Sequence, residues 1–149
     1  FEAFVVDTWS QLNWEIKEKK REDIGRAGDG NLKFRQNIEI QDWGNILDLN
    51  ELCIKTFCSL PITFICNMHE QFYEDKKGGR TSGTPAINGK FAPEIGKYFD
   101  IVGHMSVSIT GDYVMDTAMK ARYQAKTRIP LSGKQLKNPT YKSILSSIL

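Results

Sequence analysis

The sequence contains no long apolar run. None of its uninterrupted hydrophobic segments approaches the roughly 20 residues that a membrane-spanning helix needs. This absence argues against an integral membrane protein, and we expect the chain to have no membrane partner.

Cysteine is scarce, with three residues in a chain of 149. Cys53, Cys58 and Cys66 are an odd number, lie in apolar segments and form no CxxC pair. This pattern excludes a disulfide framework and the usual zinc sites, and small buried thiols are typical of a reducing compartment. We therefore expect a cytoplasmic protein.

An excess of charge of one sign is also missing. The net charge of +2 is too small to indicate a nucleic-acid or membrane partner by itself. With 40% hydrophobic and 26% charged residues, the composition is that of an ordinary globular protein. The length suffices to bury a core, so we expect residues 1–149 to form a single domain. We find no internal repeats.

Two short apolar segments end in polar residues. EAFVVD (2–7) and the run ITFIC (62–66), which NMHE follows, both read as buried strands, with helical patterns from Trp9 and from Asp42 between them. Continuous apolar runs favour strands covered on both faces, as in a parallel sheet flanked by helices. Ligands of such sheets bind beyond the carboxyl ends of the strands. We therefore expect Asp7 and the pair His69–Glu70 to project toward one crevice.

The second half of the chain is less regular. Residues 71–90 lack hydrophobic periodicity and predict a long loop, which in a compact domain is usually functional or disordered. Residues 93–98 predict a short helix, 99–109 a third strand, Gly111–Asp112 a turn and 112–126 a hairpin. Asn138 and Pro139 open a short helix or a docking segment.

The acidic residue that ends the first strand has two plausible uses. Asp7 is placed where P-loop NTPases hold Mg²⁺ with a carboxylate at a rigid strand tip. An aspartate between a strand and a helix also caps the helix, which is the commoner use of this pattern. The motif alone leaves both open.

The other candidate residues also carry alternatives. His69 and Glu70 could sense a γ-phosphate or orient an attacking water, or they could be a plain surface pair. Lys126 and Arg128 lie two apart, so on a strand they share a face that suits phosphate or forms a solvated basic edge. A metal-dependent nuclease or phosphohydrolase with Asp7, His69 and Glu70 as ligands is a further possibility.

The basic loop at 71–90 has two readings as well. Its cations, together with Phe72 and Tyr73, could follow a nucleic-acid backbone while the aromatic rings stack on bases, or the loop could be a disordered connection. Its candidate nucleic-acid contacts are Lys76, Lys77, Arg80 and Lys90.

The order of these segments resembles the phage-encoded RecA-like P-loop ATPases of the AAA type, which are associated with single-strand annealing and recombination. The resemblance covers nearly the whole chain apart from 17–37. The segments that carry it are VVDTWSQL, QDWGNILDLNELCIKTFCSLP, ITFICNMHE, PEIGKYFDIVGHMSV, RYQAKTR and NPTYKSIL.

The resemblance implies a RecA-like, mostly parallel sheet flanked by helices, with a C-terminal antiparallel hairpin. It implies ATP and Mg²⁺ as cofactors, with Asp7 as the Walker B aspartate, Thr8 beside it, and His69 as the sensor at a strand end. Lys126 and Arg128 would reach the ATP of a neighbouring subunit in a ring or filament.

The implied partners are single-stranded DNA, contacted through 71–90, and further copies of the same chain, in the cytoplasm of the host cell. The glycine-rich loop GxxxxGK[ST], which cradles phosphates, is absent; SGTPAINGK and LSGKQL lack its spacing. In the family this loop precedes the Walker B strand, so we expect it upstream of Phe1 and expect weak or no ATP binding by these residues alone.

Two functions follow from the sequence. The first is the core of a DNA-dependent ATPase. The alternative is a non-catalytic module that binds nucleic acid or assembles with a partner and lacks its own phosphate-binding loop.

Overall fold

A computed structural model describes residues 2–27, 38–74, 81–120 and 123–149. The chain forms two compact units. Unit 1 comprises Phe1–His69 and Pro85–Ala92, and unit 2 comprises Glu70–Thr84 and Pro93–Leu149. Among the residues described, no helix is both long and apolar enough to cross a membrane.

Unit 1 is built on a pair of parallel strands. The elements follow the chain as β1 (Ala3–Val6), α1 (Trp9–Ala27), α2 (Ile40–Cys58) and β2 (Thr63–Cys66). β1 and β2 pair in parallel, with Ala3 opposite Thr63 and Val6 opposite Cys66. Because parallel neighbours require a long crossover connection, both helices lie between the strands in the chain.

The core of unit 1 joins the two helices to the strands. Trp9 of α1 and Ile46 and Ile54 of α2 are almost completely buried. The rings of Phe4, Phe57 and Phe64 form a cluster in which Phe57 lies 5.2 Å from Phe4 and 5.3 Å from Phe64, measured between centroids. Aromatic pairs at such separations add to the free energy of burial.

The second helix begins slightly earlier than the helical pattern expected from Asp42. Glu39 is the N-cap, and Asp42 lies in the first turn, where its Oδ2 accepts a hydrogen bond from the Glu39 amide at 3.2 Å. The two residues form a capping box, which satisfies amides that the first turn leaves without a helical partner.

Unit 2 consists mainly of short strands. β3 (Glu70–Glu74) pairs with β4 (Thr81–Pro85), whose last residue begins the second segment of unit 1. α3 (Phe91–Glu94), which crosses from unit 1, continues into a 3₁₀ turn at Ile95–Tyr98.

Antiparallel pairing dominates the rest of unit 2. β5 (Ile101–Val102) pairs with β8 (Lys126–Thr127), and β6 (His104–Val107), β7 (Tyr113–Asp116) and β9 (Gln135–Lys137) form a sheet in the order β6-β7-β9. The last helix, α4 (Tyr141–Ser146), begins after Thr140, whose hydroxyl accepts a hydrogen bond from the Ser143 amide.

The expected RecA-like, mostly parallel sheet flanked by helices is wrong. The chain is a small mixed α/β fold in which short strands form small sheets. Parallel pairing is seen between β1 and β2. The segment expected as a third strand is followed by a turn at Gly111, which has a φ of +83°. A tight turn connects antiparallel neighbours only, so β6 pairs with β7. The hairpin expected at 112–126 is wrong, because β7 pairs with β6 and β9, and β8 pairs with β5.

The same segment is also interrupted. Gly103 separates β5 from β6, and a Cβ there would lie 2.5 Å from Cγ of Met115. The loop expected at 71–90 contains β3 and β4, while residues 75–80 lie outside the described part.

Candidate functional site

The carboxyl ends of β1 and β2 lie side by side in unit 1. Beyond the last paired residues, the Asn67 amide donates to the Val6 carbonyl at 3.0 Å, and the Trp9 amide donates to the Asn67 carbonyl at 2.8 Å. These bonds continue the parallel pairing past the strands. Asp7 and Asn67 therefore leave the sheet at the same edge.

Thr8, and not Asp7, caps the helix that follows. Thr8 Oγ1 accepts a hydrogen bond from the Gln11 amide at 3.2 Å, and the Thr8 carbonyl accepts one from the Leu12 amide at 3.2 Å. An oxygen that receives the amide three residues later is the N-cap arrangement. The hydroxyl predicted to contact a cofactor thus satisfies the backbone of α1.

The Asp7 carboxylate makes no contact with a partner in the described part of the chain. The side chain is exposed, and it has no hydrogen-bond or ion-pair partner among residues 2–27, 38–74, 81–120 and 123–149. The capping alternative for this carboxylate therefore does not apply. A free carboxylate at the tip of a strand is available to a ligand.

The His69 backbone is fixed at the same edge. Its amide donates to Ser10 Oγ at 3.0 Å, and its carbonyl accepts a hydrogen bond from the Ala86 amide at 2.7 Å. Ser10 lies in the first turn of α1, so His69 is held beside the start of that helix. The imidazole is exposed and has no partner within the described residues.

Glu70, predicted to act with His69, has different surroundings. Its Oε2 lies 3.3 Å from Nε2 of His104 in unit 2, whereas His69 belongs to unit 1. The Glu70 carboxylate also occupies the space where a Cβ of residue 83 would be, and Gly83 leaves that space open. The Nδ1 atom of His104 is buried and lacks a partner in the described structure.

The exposed carboxylate of Asp7 suits Mg²⁺, which keeps several of its waters, better than it suits a metal ion that protein side chains alone must hold. No group of three or more His, Cys, Asp or Glu side chains able to hold a metal occurs in the part of the chain that the structure describes. The three-ligand alternative of Asp7, His69 and Glu70 is therefore not supported. Mg²⁺ commonly takes one or two carboxylates, several waters and phosphate oxygens, and Asp7 fits that donor set.

The hydrogen-bond network around Asp116 was not anticipated from the sequence. This carboxylate is buried, with 4% of the residue exposed, and accepts hydrogen bonds from Lys120 Nζ at 2.8 Å and from Tyr123 Oη and Gln135 Nε2 at 2.6 Å each. Burial raises the pKa of Asp116, but the hydrogen bonds and the charge of Lys120 outweigh it and lower the pKa to about 2.

An aromatic contact extends the network. The His104 ring stacks on the Tyr123 ring, with centroids 3.7 Å apart and an interplanar angle of 11°. His104 also lies opposite Asp116 in the β6–β7 register. In the sequence, the spacing of four residues between Asp116 and Lys120 is only a weak indication that the two form an ion pair. The contacts of Asp116 with Tyr123 and Gln135 depend on tertiary structure.

The predicted basic pair is divided between two environments in unit 2. The Arg128 guanidinium donates to the Lys97 carbonyl, and the Arg128 amide donates to the Asp100 carbonyl at 2.8 Å. Lys126 lies opposite Val102 in the β5–β8 pair and is one of the residues that line a surface cleft. Arg128 is thus engaged within its own chain.

The predicted nucleic-acid contacts lie mostly outside the described residues. Lys76, Lys77 and Arg80 fall in 75–80, and Lys90 is exposed just before α3. On β3, however, Phe72 and Tyr73 are 67% and 50% exposed. Their rings are accessible next to the basic segment.

Known proteins do not identify the chain. Comparison with protein-family models, with curated proteins and with solved structures found no match. The resemblance to RecA-like ATPases therefore rests on the sequence segments alone.

Proposed function

We propose that this chain is part of a DNA-dependent ATPase in which the carboxyl edge of β1 and β2 faces the phosphates of ATP. One observation carries the proposal. The free carboxylate of Asp7 and the free imidazole of His69 follow two adjacent parallel strands at one edge. The carboxyl ends of parallel strands are where α/β proteins bind their ligands.

The start of α1 adds to this edge. The helix is 19 residues long and begins at Trp9, directly after Asp7 and Thr8. The amino end of a helix carries partial positive charge and favours phosphate. At this edge the positive amino end of α1 therefore lies together with the polar residues that follow the two strands.

Each side chain has a distinct role in the proposal. Asp7 would hold Mg²⁺, which when bound supplies positive charge that neutralises the phosphates. His69 orients the attacking water or contacts the γ-phosphate. The oxygen of that water forms a bond to the γ-phosphorus as the bond to the bridging oxygen breaks, giving ADP and phosphate, and the proton of the water passes to solvent.

The other predicted site residues have restricted roles in the proposal. Glu70 has no catalytic role in the proposal because its carboxylate pairs with His104. Lys126 and Arg128 could act on the ATP of a neighbouring copy only in a homo-oligomer. Arg128 would then have to exchange the Lys97 carbonyl for phosphate.

Substitution of Asp7 tests the proposal. In the full-length protein with single-stranded DNA, we expect Asp7→Ala to lower ATP hydrolysis by at least about 100-fold, the scale on which removal of one key electrostatic group acts. Asp48→Ala is the matched control, since Asp48 is an exposed aspartate on α2 of the same unit. Circular dichroism would establish that both variants remain folded.

The substitution His69→Ala tests the role of the residue after β2 separately from that of Asp7 after β1. We expect it to lower kcat for ATP hydrolysis by a factor of about 10 to 100 through loss of a water-orienting group. Wild-type hydrolysis by folded Asp7→Ala would contradict the role of that carboxylate. Equal losses in Asp7→Ala and Asp48→Ala would show that the effect is not specific to the edge.

The second candidate function is a non-catalytic nucleic-acid-binding module. The exposure of Phe72 and Tyr73 favours it, because aromatic side chains stack on the bases of single strands. In that case the full-length protein binds single-stranded DNA, Phe72→Ala weakens the binding, and no ATP is hydrolysed.

A further inference from the structure

Unit 2 contains a surface cleft of about 400 Å³ that the candidate site does not use. Its walls are formed by the residues after β7, by β8 and by the segment that leads to β9. They include Thr117, Lys126, Leu131 and Lys134. The volume falls within the range of sites that hold small molecules or single nucleotides.

Backbone contacts hold the walls of the cleft in place. Both the amide and the hydroxyl of Thr117 donate to the Lys134 carbonyl, at 2.9 and 3.1 Å. Leu131 forms a bridge with Ile148, and the β5–β8 pairing fixes Lys126. The cleft is therefore formed before any ligand binds, which lowers the entropy cost of binding.

The two lysines of the cleft differ from three other lysines of unit 2. Lys97, Lys120 and Lys137 each lie 2.8 Å from a carboxylate oxygen. Lys126 and Lys134 have no carboxylate partner among the residues that the structure describes. Two lysines without a carboxylate partner among the described residues, together with the apolar lining residues Met119 and Leu131, make the cleft complementary to an anion that also has an apolar part.

We propose that this cleft binds the sugar–phosphate backbone of single-stranded nucleic acid, with Lys126 and Lys134 as the residues that bind phosphate. The inference rests on the proposed function, which requires such a strand. The cleft lies at the surface, with Lys134 and Met119 exposed on its rim. A small molecule is normally enclosed on most sides, whereas a strand can lie across an open cleft.

Binding of labelled oligonucleotide tests the proposal. Fluorescence anisotropy of a 20-nucleotide oligo(dT) would be measured with the full-length protein and with Lys126→Ala, Lys134→Ala and the double variant. We expect each single change to raise Kd by roughly 5- to 10-fold and the double change by at least about 30-fold. The slope of log K against log salt should fall by about 0.7 for each phosphate that the variant no longer neutralises.

Lys142→Ala provides the control for a general reduction of positive charge. Lys142 is an exposed lysine on α4 that lies outside the cleft and has no carboxylate partner in the described part of the chain. We expect this variant to change Kd by less than about twofold. If the double cleft variant binds as Lys142→Ala does, the proposal is wrong.

Two further outcomes would also overturn the inference. Displacement of the oligonucleotide by an equal nucleotide concentration of dTMP would identify a small-anion site. Loss of ATP hydrolysis in Lys126→Ala with unchanged strand binding would assign that lysine to nucleotide. Failure of the proposed function is distinguishable, because in that case either the wild-type protein hydrolyses no ATP or Asp7→Ala hydrolyses it at the wild-type rate, whatever the cleft variants do.

Discussion

The carboxylate of Glu70 lies 3.3 Å from the imidazole Nε2 of His104. Glu70 follows His69 directly in the chain, yet the two side chains have different surroundings. The Glu70 side chain is 31% exposed and that of His104 is 19% exposed, so the contact is partly shielded from water. A pair of this kind fixes the position of the Glu70 carboxylate above Gly83.

We expect Gly83→Ala to destabilise the protein by about 1 kcal/mol. The new Cβ would overlap the Glu70 carboxylate, so that side chain must move away from His104. Breaking one partly buried hydrogen bond has a cost of this size. Urea unfolding measures the change.

A double-mutant cycle tests the cause of that destabilisation. In a Glu70→Ala background the overlap is gone, and Gly83→Ala should then cost less than about 0.3 kcal/mol. Equal costs in both backgrounds would show that the backbone at Gly83, and not Glu70, resists substitution. Gly44→Ala is the contrast, since nothing lies within 4 Å of its Cβ position in α2 and helix propensity predicts stabilisation by up to about 1 kcal/mol.

The stability of the protein should depend on pH through Asp116. The pKa of this carboxyl in the folded protein is about 2, below its ordinary value of 3.8. The unfolded chain therefore binds the proton more readily, and the stabilisation is complete above about pH 5 and disappears as pH falls toward 2. The shift corresponds to roughly 2 kcal/mol.

Urea unfolding at pH 7, 4 and 2.5 measures this dependence. We expect Asp116→Asn to be less stable than wild type at pH 7 and to approach it at pH 2.5. Asp100→Asn, which changes an exposed aspartate of the same unit, should follow the wild-type profile. A constant difference between Asp116→Asn and wild type at all three pH values would contradict the role of the charge.

The contact between α1 and α2 should depend on Asn50. Asn50 is 1% exposed. Its Oδ1 accepts a hydrogen bond from the Trp9 indole N–H at 3.1 Å, and its Nδ2 donates one to Asn13 Oδ1 at 3.2 Å. Asn50→Ala would leave both partners buried without a hydrogen bond and should cost about 2 to 4 kcal/mol. Asn45→Ala, at an exposed position of α2, should cost less than about 1 kcal/mol.

Denaturation followed by tryptophan fluorescence measures both Asn variants. A destabilisation by Asn50→Ala no larger than that by Asn45→Ala would mean that the network does not stabilise the helix pair.

The cysteines should differ in reactivity. Burial and then the negative charge of Cys58 raise the pKa of Cys66 to about 12. At pH 8 only about one Cys66 in ten thousand is then a thiolate, the form that reacts. Iodoacetamide followed by peptide mapping should modify the exposed Cys58 well before Cys66, and 6 M guanidinium should remove the difference. Equal rates in the folded protein would contradict the burial of Cys66.

Local patterns predicted the position and type of the elements of unit 1, but the expected burial of β1 is wrong, because Phe4 is 39% and Val5 52% exposed. The apolar runs before Asp7 and Asn67 form β1 and β2, and the helical spacing from Trp9 and through Ile46 and Ile54 forms α1 and α2. The polar ends of the two strands also lie at one edge, as their position after parallel strands required.

The fold of unit 2 could not be read in the same way. A buried strand has the same apolar character in a parallel and in an antiparallel sheet, and its pairing depends on residues distant in the chain. The residues at 111–112 signal the turn, but the approach of the Met115 side chain to Gly103, which separates β5 from β6, depends on tertiary structure. The pairing of Glu70 with His104 similarly joins residues 34 positions apart.

The most direct test of the proposed site is to locate the metal of bound nucleotide. Fe²⁺ with ATP, in the presence of ascorbate and peroxide, cleaves the backbone close to the metal, and mass spectrometry of the full-length protein identifies the cleaved bonds. We expect cleavage at both 6–8 and 67–69, and its disappearance in Asp7→Ala. Cleavage elsewhere with both segments intact would contradict the proposal that this edge faces the phosphates.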